Sequence, residues 1–172
     1  APTQHKQRLA AFTAEDRSGA YVHCGVREHV MGAMANGMAA HGGVIALAVT
    51  DLAFSDYERP AMRMAALMGL PVKFVFSHDS IGIGKNGPTH QPVEMLASLR
   101  ALPNMLLLRP ADAIEAAECW QVALEHKSGP VSLIFARQVM GRPYLAPPGV
   151  RKERADALRK AFMDTMKDPE FL

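Results

Sequence analysis

At 172 residues the chain is long enough for one domain with a substantial buried core and too short for two. Hydrophobic residues make up 49% and charged residues 21%, which excludes a disordered chain, and a formal net charge of +2 excludes the basic footprint of a nucleic-acid binder. No apolar run approaches the roughly 20 residues of a bilayer span, and the opening "APTQHKQRLAAF" has no signal-peptide core.

The two cysteines, Cys24 and Cys119, lie too far apart for a CxxC knuckle and are too few for a disulfide framework. The expectation is a soluble protein in a reducing, cytoplasmic setting, with neither nucleic acid nor membrane as a partner. The first 20 residues read as an N-terminal arm. Apolar runs bounded by Gly, Pro or Asp then alternate with stretches of helical period, which is the signature of βα units. In chain order these predict a strand over Tyr21 to Cys24, a helix over Glu28 to Ala40, a strand over Val44 to Val49 and a helix over Tyr57 to Met68. There follow a strand over Val72 to Phe76, a helix over Gln91 to Leu102 and a strand over Met105 to Leu108. A helix over Ala113 to His126 and a strand over Val131 to Ala136 complete the set. In the last helix Ala113, Ala116, Ala117, Trp120, Ala123 and Leu124 recur at helical spacing behind Asp112, a good N-cap.

Most of the strands are continuously apolar, as expected of parallel strands covered on both faces. The fold class that follows is α/β: a three-layer, open, mostly parallel sheet with helices on both faces, over residues 21–140. The remainder, 141–172, reads as a Pro- and Gly-rich linker, "MGRPYLAPPG", and an amphipathic C-terminal helix with Ala155, Leu158, Phe162 and Met166 on one face.

Ligands of such sheets bind at the carboxyl ends of the strands. The segments there are "GVREH", "TDLAFSDY", "SHDSIGIGKNGPTH", "RPAD" and "ARQ", and they carry most of the unusual polar residues. In the third, "GIGKNG" matches the G-x-G-x-x-G of dinucleotide loops. Pro88 follows its last glycine and Pro92 marks a later helix start, so the helix does not open inside the motif, and the next strand ends in Arg109 rather than an acid. A metal site built from His78, Asp79, His90 and His29 follows no familiar zinc spacing. A third reading takes the histidines as solvent-exposed and the glycines as turn formers.

The stretches "GVREHVMGAMANGMAAHGG", "FSDYERPAMRMAALMGLPVKFVFSHDSIGIGKNGPTHQPVEMLASLRALPNMLLLRPADAIEA" and "FARQ" resemble the pyrimidine-binding domain of transketolase, nearly continuously from Tyr21 to Gln138. The resemblance implies thiamine diphosphate as cofactor and transfer of a two-carbon ketol unit between sugar phosphates. It implies that Glu28, the glutamate of "REH", hydrogen-bonds a pyrimidine ring nitrogen, with Val26, Phe54 and Tyr57 around the cofactor. Read on its own, Glu28 is an ordinary first-turn helix carboxylate. It also implies that His78 and Arg137 hold the sugar phosphate, that Asn86 contacts a sugar hydroxyl, and that His90 lies near the reacting carbons, with Glu28 and His90 as the catalytic pair.

Two residues depart from the family's pattern. Asp51 stands where transketolases usually carry an aromatic, and Asn86, preceded by Lys85, stands where they typically have an aspartate. The family's first βα unit has no counterpart before Tyr21, so exposed apolar surface and self-association are expected. Nor is there a domain with the "GDG" motif. Magnesium or calcium is therefore expected only through a separate diphosphate-binding transketolase subunit, with a homo-oligomer as the alternative assembly and no metal ligand in this chain. The tail "APPGVRKERADALRKAFMDTMKDPEFL" resembles the C-terminal end of periplasmic receptor proteins of tricarboxylate transporters. Two functions follow: the pyrimidine-binding half of a transketolase site, with no turnover alone, or an inactive remnant serving as a scaffold.

Overall fold

The computed structural model describes residues 10–83 and 86–136. Arg137, the predicted linker and the predicted C-terminal helix lie outside them. Four helices alternate with four strands: α1 (Glu28–His41), β1 (Leu47–Asp51), α2 (Ser55–Met68), β2 (Lys73–Ser77), α3 (Met95–Arg100), β3 (Leu106–Leu108), α4 (Ala113–Glu125) and β4 (Val131–Ile134). Short 3-10 turns occupy Leu52–Phe54, Ile81–Ile83 and Pro88–His90.

All four strands are parallel, in the order β1-β2-β4-β3. The register sets Leu47 beside Lys73 and Asp51 beside Ser77, so the polar last residues of β1 and β2 meet at one edge. Alternation then separates two apolar faces. Ala48, Phe74, Phe76 and Ile134 join Ala35 of α1, Met62 and Ala65 of α2, and Leu99 of α3 in one core. Val131 and Leu133 join Ala123 of α4 in the other, with Val75, Leu106, Leu108 and Trp120 packed against them. These are the expected three layers.

Local chemistry fixes the helix ends. Asp112 accepts hydrogen bonds from the backbone N–H groups of Ile114 and Glu115, each 2.9 Å, as the N-cap of α4; such a cap contributes about 1 kcal/mol. Gly69, at φ 65°, ends α2, and the Leu70 N–H donates back to the Ala65 carbonyl at 2.9 Å. Helix α3 opens at Met95 and is shorter than the periodicity predicts, and Gln91, which precedes Pro92, is kept out of it by an extended conformation, φ −100° and ψ 95°. The proline ring crowds the residue before it out of the helical region.

The predicted strand over Tyr21 to Cys24 is not formed. Among the described residues Tyr21 makes only an isolated bridge to Ala11 and no strand of the sheet lies alongside; Gly25, at φ 69°, turns the chain into α1. Without a neighbour to complete a ladder, an apolar run does not stay extended. On the α4 side of β1, Leu47 and Val49 remain 46% and 39% exposed, and Val44 and Ile45 before them are exposed too. The expected exposed apolar surface is thus present.

Gly32 lets α1 and α2 touch. A Cβ there would lie 2.9 Å from both the Ala61 Cβ and the Glu58 Cγ, inside van der Waals contact. In an open helix Ala is favoured over Gly by about 0.5–1 kcal/mol, but overpacking costs about 1–3 kcal/mol. Gly32→Ala is therefore expected to lower the urea midpoint of unfolding; a raised midpoint would show that the two helices part freely.

Candidate active site at the carboxyl edge of the sheet

Where β1 ends, the chain turns through Leu52–Phe54 into α2, and the turn Pro88–His90 packs over that bend. Between them lies an open groove of about 360 Å³, lined among others by Phe54, Tyr57, Pro88, Thr89, Gln91 and Met95. The Phe54 ring stands edge-on to the His90 imidazole at 5.0 Å and 6.2 Å from the Tyr57 ring. Tyr57 is 65% exposed. The His90 Nδ1 and the Thr89 hydroxyl are 2.8 Å apart. Phe54, Tyr57 and His90, singled out in two separate loops of the sequence, therefore meet in one place.

A second cluster occupies the ends of β1 and β2. The Ser77 hydroxyl lies 2.7 Å from an Asp51 carboxylate oxygen and 2.7 Å from His78 Nδ1, and that nitrogen lies 2.7 Å from the same carboxylate oxygen. The His78 backbone is at φ 59°, a left-handed conformation for a non-glycine residue, of a kind that costs about 1–3 kcal/mol and persists where the surroundings hold it. Asp51, read from the sequence as one of two departures from the family's pattern, is thus engaged by Ser77 and His78 at the end of β2. One residue on, the Asp79 carboxylate, nearly buried, accepts from Arg109 Nη2 at 2.6 Å and Nε at 3.1 Å. This pair ties the loop after β2 to the loop after β3.

The third feature lies between α1 and α2. Glu58 is fully buried, both its carboxyl oxygens lack a hydrogen-bond partner among the described residues, and Oε1 sits 3.0 Å from the Cβ position of Gly32. Gly32 is four residues after Glu28, one turn along the same face of α1. Burial pushes the Glu58 carboxyl up to about 8, and the charge of Glu28 adds to the rise. Burial also raises the Cys24 thiol, with the charge of Glu58 contributing. Glu58 is therefore a neutral acid at pH 7, facing the ionisable Glu28.

Sequence reasoning did not single out Glu58. The signal was there: Ser55, Glu58, Met62 and Ala65 recur at helical spacing on the buried face of α2. Glu28 opens α1 and is partly buried. Val26 is 91% exposed in the stretch before it, and Asn86 lies in the turn before Pro88, partly buried. Among the described residues no group of three or more His, Cys, Asp or Glu side chains is placed to hold a metal ion, and no helix is long and apolar enough to cross a membrane.

The family described as the transketolase pyrimidine-binding domain matches residues 2–142. The chain belongs to the transketolase family. The match takes in residues before Tyr21, read from the sequence as an arm. Transketolase of Treponema pallidum is 58% identical over 130 residues, covering 76% of this chain and 20% of that protein. The solved transketolase of Leishmania mexicana superposes with a TM-score of 0.74 at 45% identity, over 76% of this chain and 19% of its own. A structure described as a split-gene transketolase, an inactive beta4 tetramer, superposes with a TM-score of 0.57 at 30% identity, over 73% of this chain and 39% of its own. The chain spans about a fifth of the length of the first two transketolases.

Proposed function

We propose that this chain supplies the pyrimidine-binding half of a transketolase-type active site, which transfers a two-carbon ketol unit between sugar phosphates with thiamine diphosphate as cofactor. The observation that carries the reading is that Phe54 and Tyr57 line one groove and the His90 ring packs edge-on against Phe54, in a chain whose family match runs through residues 2–142. The groove fits a flat heteroaromatic ring: Phe54 and Tyr57 offer ring faces and edges, and such contacts contribute about 0.5–1.5 kcal/mol beyond area burial. When bound, thiamine diphosphate supplies the carbanion chemistry.

The protein's own groups bind and move protons. Glu28 holds a pyrimidine ring nitrogen through its carboxyl, and Val26 borders the ring. The neutral Glu58 behind Glu28 keeps a second negative charge away from it. His90 serves the reacting carbons, His78 and Arg137 the sugar phosphate, and Asn86 a sugar hydroxyl, where an amide offers donors as well as an acceptor. The diphosphate and its Mg2+ or Ca2+ belong to a separate diphosphate-binding subunit. The inactive tetramer named for the split-gene neighbour supports a half-site that does not turn over alone. The exposed apolar face of β1 supports pairing with that subunit or with further copies of this chain. A cytoplasmic setting suits such a protein.

The test is calorimetric titration of thiamine diphosphate with magnesium into the chain, first alone and then with a transketolase diphosphate-binding domain. Binding is expected only with the added domain, weakened at least about tenfold by Glu28→Ala, the loss of one hydrogen bond to a charged or proton-sharing group. No binding in either case would overturn the reading and leave the fold as a scaffold. Turnover by the chain alone would overturn the half-site.

A further inference from the structure

Three atoms at the ends of β1 and β2 lie mutually 2.7 Å apart: an Asp51 carboxylate oxygen, the Ser77 hydroxyl oxygen and His78 Nδ1. Only certain hydrogen placements are compatible with that triangle. The carboxylate has no hydrogen to give, and Ser77 has one. Were Nδ1 bare, its lone pair would face a carboxylate lone pair at hydrogen-bond distance, with the single hydroxyl hydrogen unable to serve both. A hydrogen on Nδ1 removes the conflict: it is given to Asp51, while the Ser77 hydroxyl gives its own to the same oxygen.

We propose that Asp51 is a positioning residue that fixes His78 with its hydrogen on Nδ1 and its Nε2 turned across the ring, away from the strand ends. Three observations bear on this together. The register of the parallel pair sets Asp51 beside Ser77, so the contact is built into the sheet. The His78 side chain is 14% exposed and that of Asp51 24%, so water competes weakly for either. The His78 backbone is held at φ 59°, and such a conformation persists where surrounding contacts over-determine it. From the Nδ1 side the ring is met by Asp51 and Ser77, with the Asp79–Arg109 pair one residue further on.

The consequence for binding rests on the reading of His78 as a phosphate contact. With Nδ1 occupied, a neutral His78 presents a lone pair at Nε2 and accepts a hydrogen from a hydroxyl. It donates to a phosphate oxygen only as imidazolium, with Asp51 balancing the charge on the other side. An aromatic residue at position 51 would leave either tautomer open. Asp51 thus sets which hydrogen-bonding role the Nε2 of His78 takes toward a ligand.

The experiment is a long-range hydrogen–nitrogen correlation spectrum of the imidazole groups in the whole 172-residue chain, recorded under mildly alkaline conditions. In the unmodified chain His78 is expected to show a protonated Nδ1 and a bare Nε2, the minority form of free histidine. In Asp51→Asn the amide donates to Nδ1 and the hydrogen is expected to move to Nε2. In Asp51→Phe the two forms are expected to mix. An Nε2–H form in the unmodified chain, or the same spectrum in all three, would overturn the proposal. These spectra need no cofactor, so they stand apart from the fate of the proposed function. In the complemented active site, Asp51→Asn is expected to raise KM for a phosphorylated ketol donor about tenfold, with a smaller change in kcat. Equal loss in kcat and kcat/KM would assign Asp51 to the chemical step and overturn a positioning role.

Discussion

Replacing Glu58 with methionine is expected to stabilise the fold, and by more at about pH 8 than at about pH 5. The side chain is fully buried against Gly32 and Ala61 of the helix interface, with both carboxyl oxygens lacking partners among the described residues. Methionine keeps the volume and adds no charge. The pH dependence follows from burial, and secondarily from Glu28, which together hold the native carboxyl protonated to about 8 against an ordinary 4.5. Between those values the native chain keeps a proton that the unfolded chain has released, so stability falls as pH rises through the window and stays low above it. At 1.36 kcal/mol per unit the full effect is about 5 kcal/mol, an upper figure because partial opening lets water in. Urea unfolding across this range should show the advantage of Glu58→Met over the unmodified chain growing steadily between about pH 5 and pH 8. A difference that does not change with pH would mean that Glu58 finds a partner or water in solution.

The second large effect is expected at Arg109. Its guanidinium gives two hydrogen bonds to one oxygen of Asp79, whose side chain is 7% exposed while that of Arg109 is 31% exposed. Arg109→Met leaves a buried carboxylate without its counter-charge and is expected to cost about 2–3 kcal/mol, less than a fully buried pair because one partner reaches water. Asp79→Asn leaves a guanidinium that can turn to solvent and is expected to cost less. Urea midpoints of the two variants should therefore differ in that order, and the reverse order would assign the stability to the arginine's packing instead.

Much of this architecture was legible because continuous apolar runs and helical periods report burial directly. The runs around Ala48, Phe74, Leu107 and Leu133 each overlap a strand of the sheet, though β1 and β2 run on past them to Asp51 and Ser77, and Asp112 before Ala113 marked the start of α4 to the residue. Tyr21 to Cys24 misled because apolar character says that a segment wants cover, not that a strand lies beside it. Phe54, Tyr57 and His90 could be named by motif, but their meeting depends on the turn before α2 packing against the turn after Gly87. Asp51 and His78 drew notice separately and their contact did not, since the meeting with Ser77 exists only in the observed register of β1 on β2. Glu58 reads as a solvated carboxylate in "SDYERP" until α1 lays Gly32 over it.

The order β1-β2-β4-β3 also governs how the domain can come into being. Strand β4, the last of the four to be synthesised, is an inner strand, and among the described residues it is the only neighbour of β3. As the nascent chain emerges, β1 and β2 can pair early, but β3 has no ladder to join until Val131 to Ile134 is available. Every pairing spans a crossover, with no hairpin to lend a local start, so closure is a late and non-local event. During translation the apolar residues Leu106 to Leu108 wait without their sheet, the interval in which a chaperone or another chain competes for them.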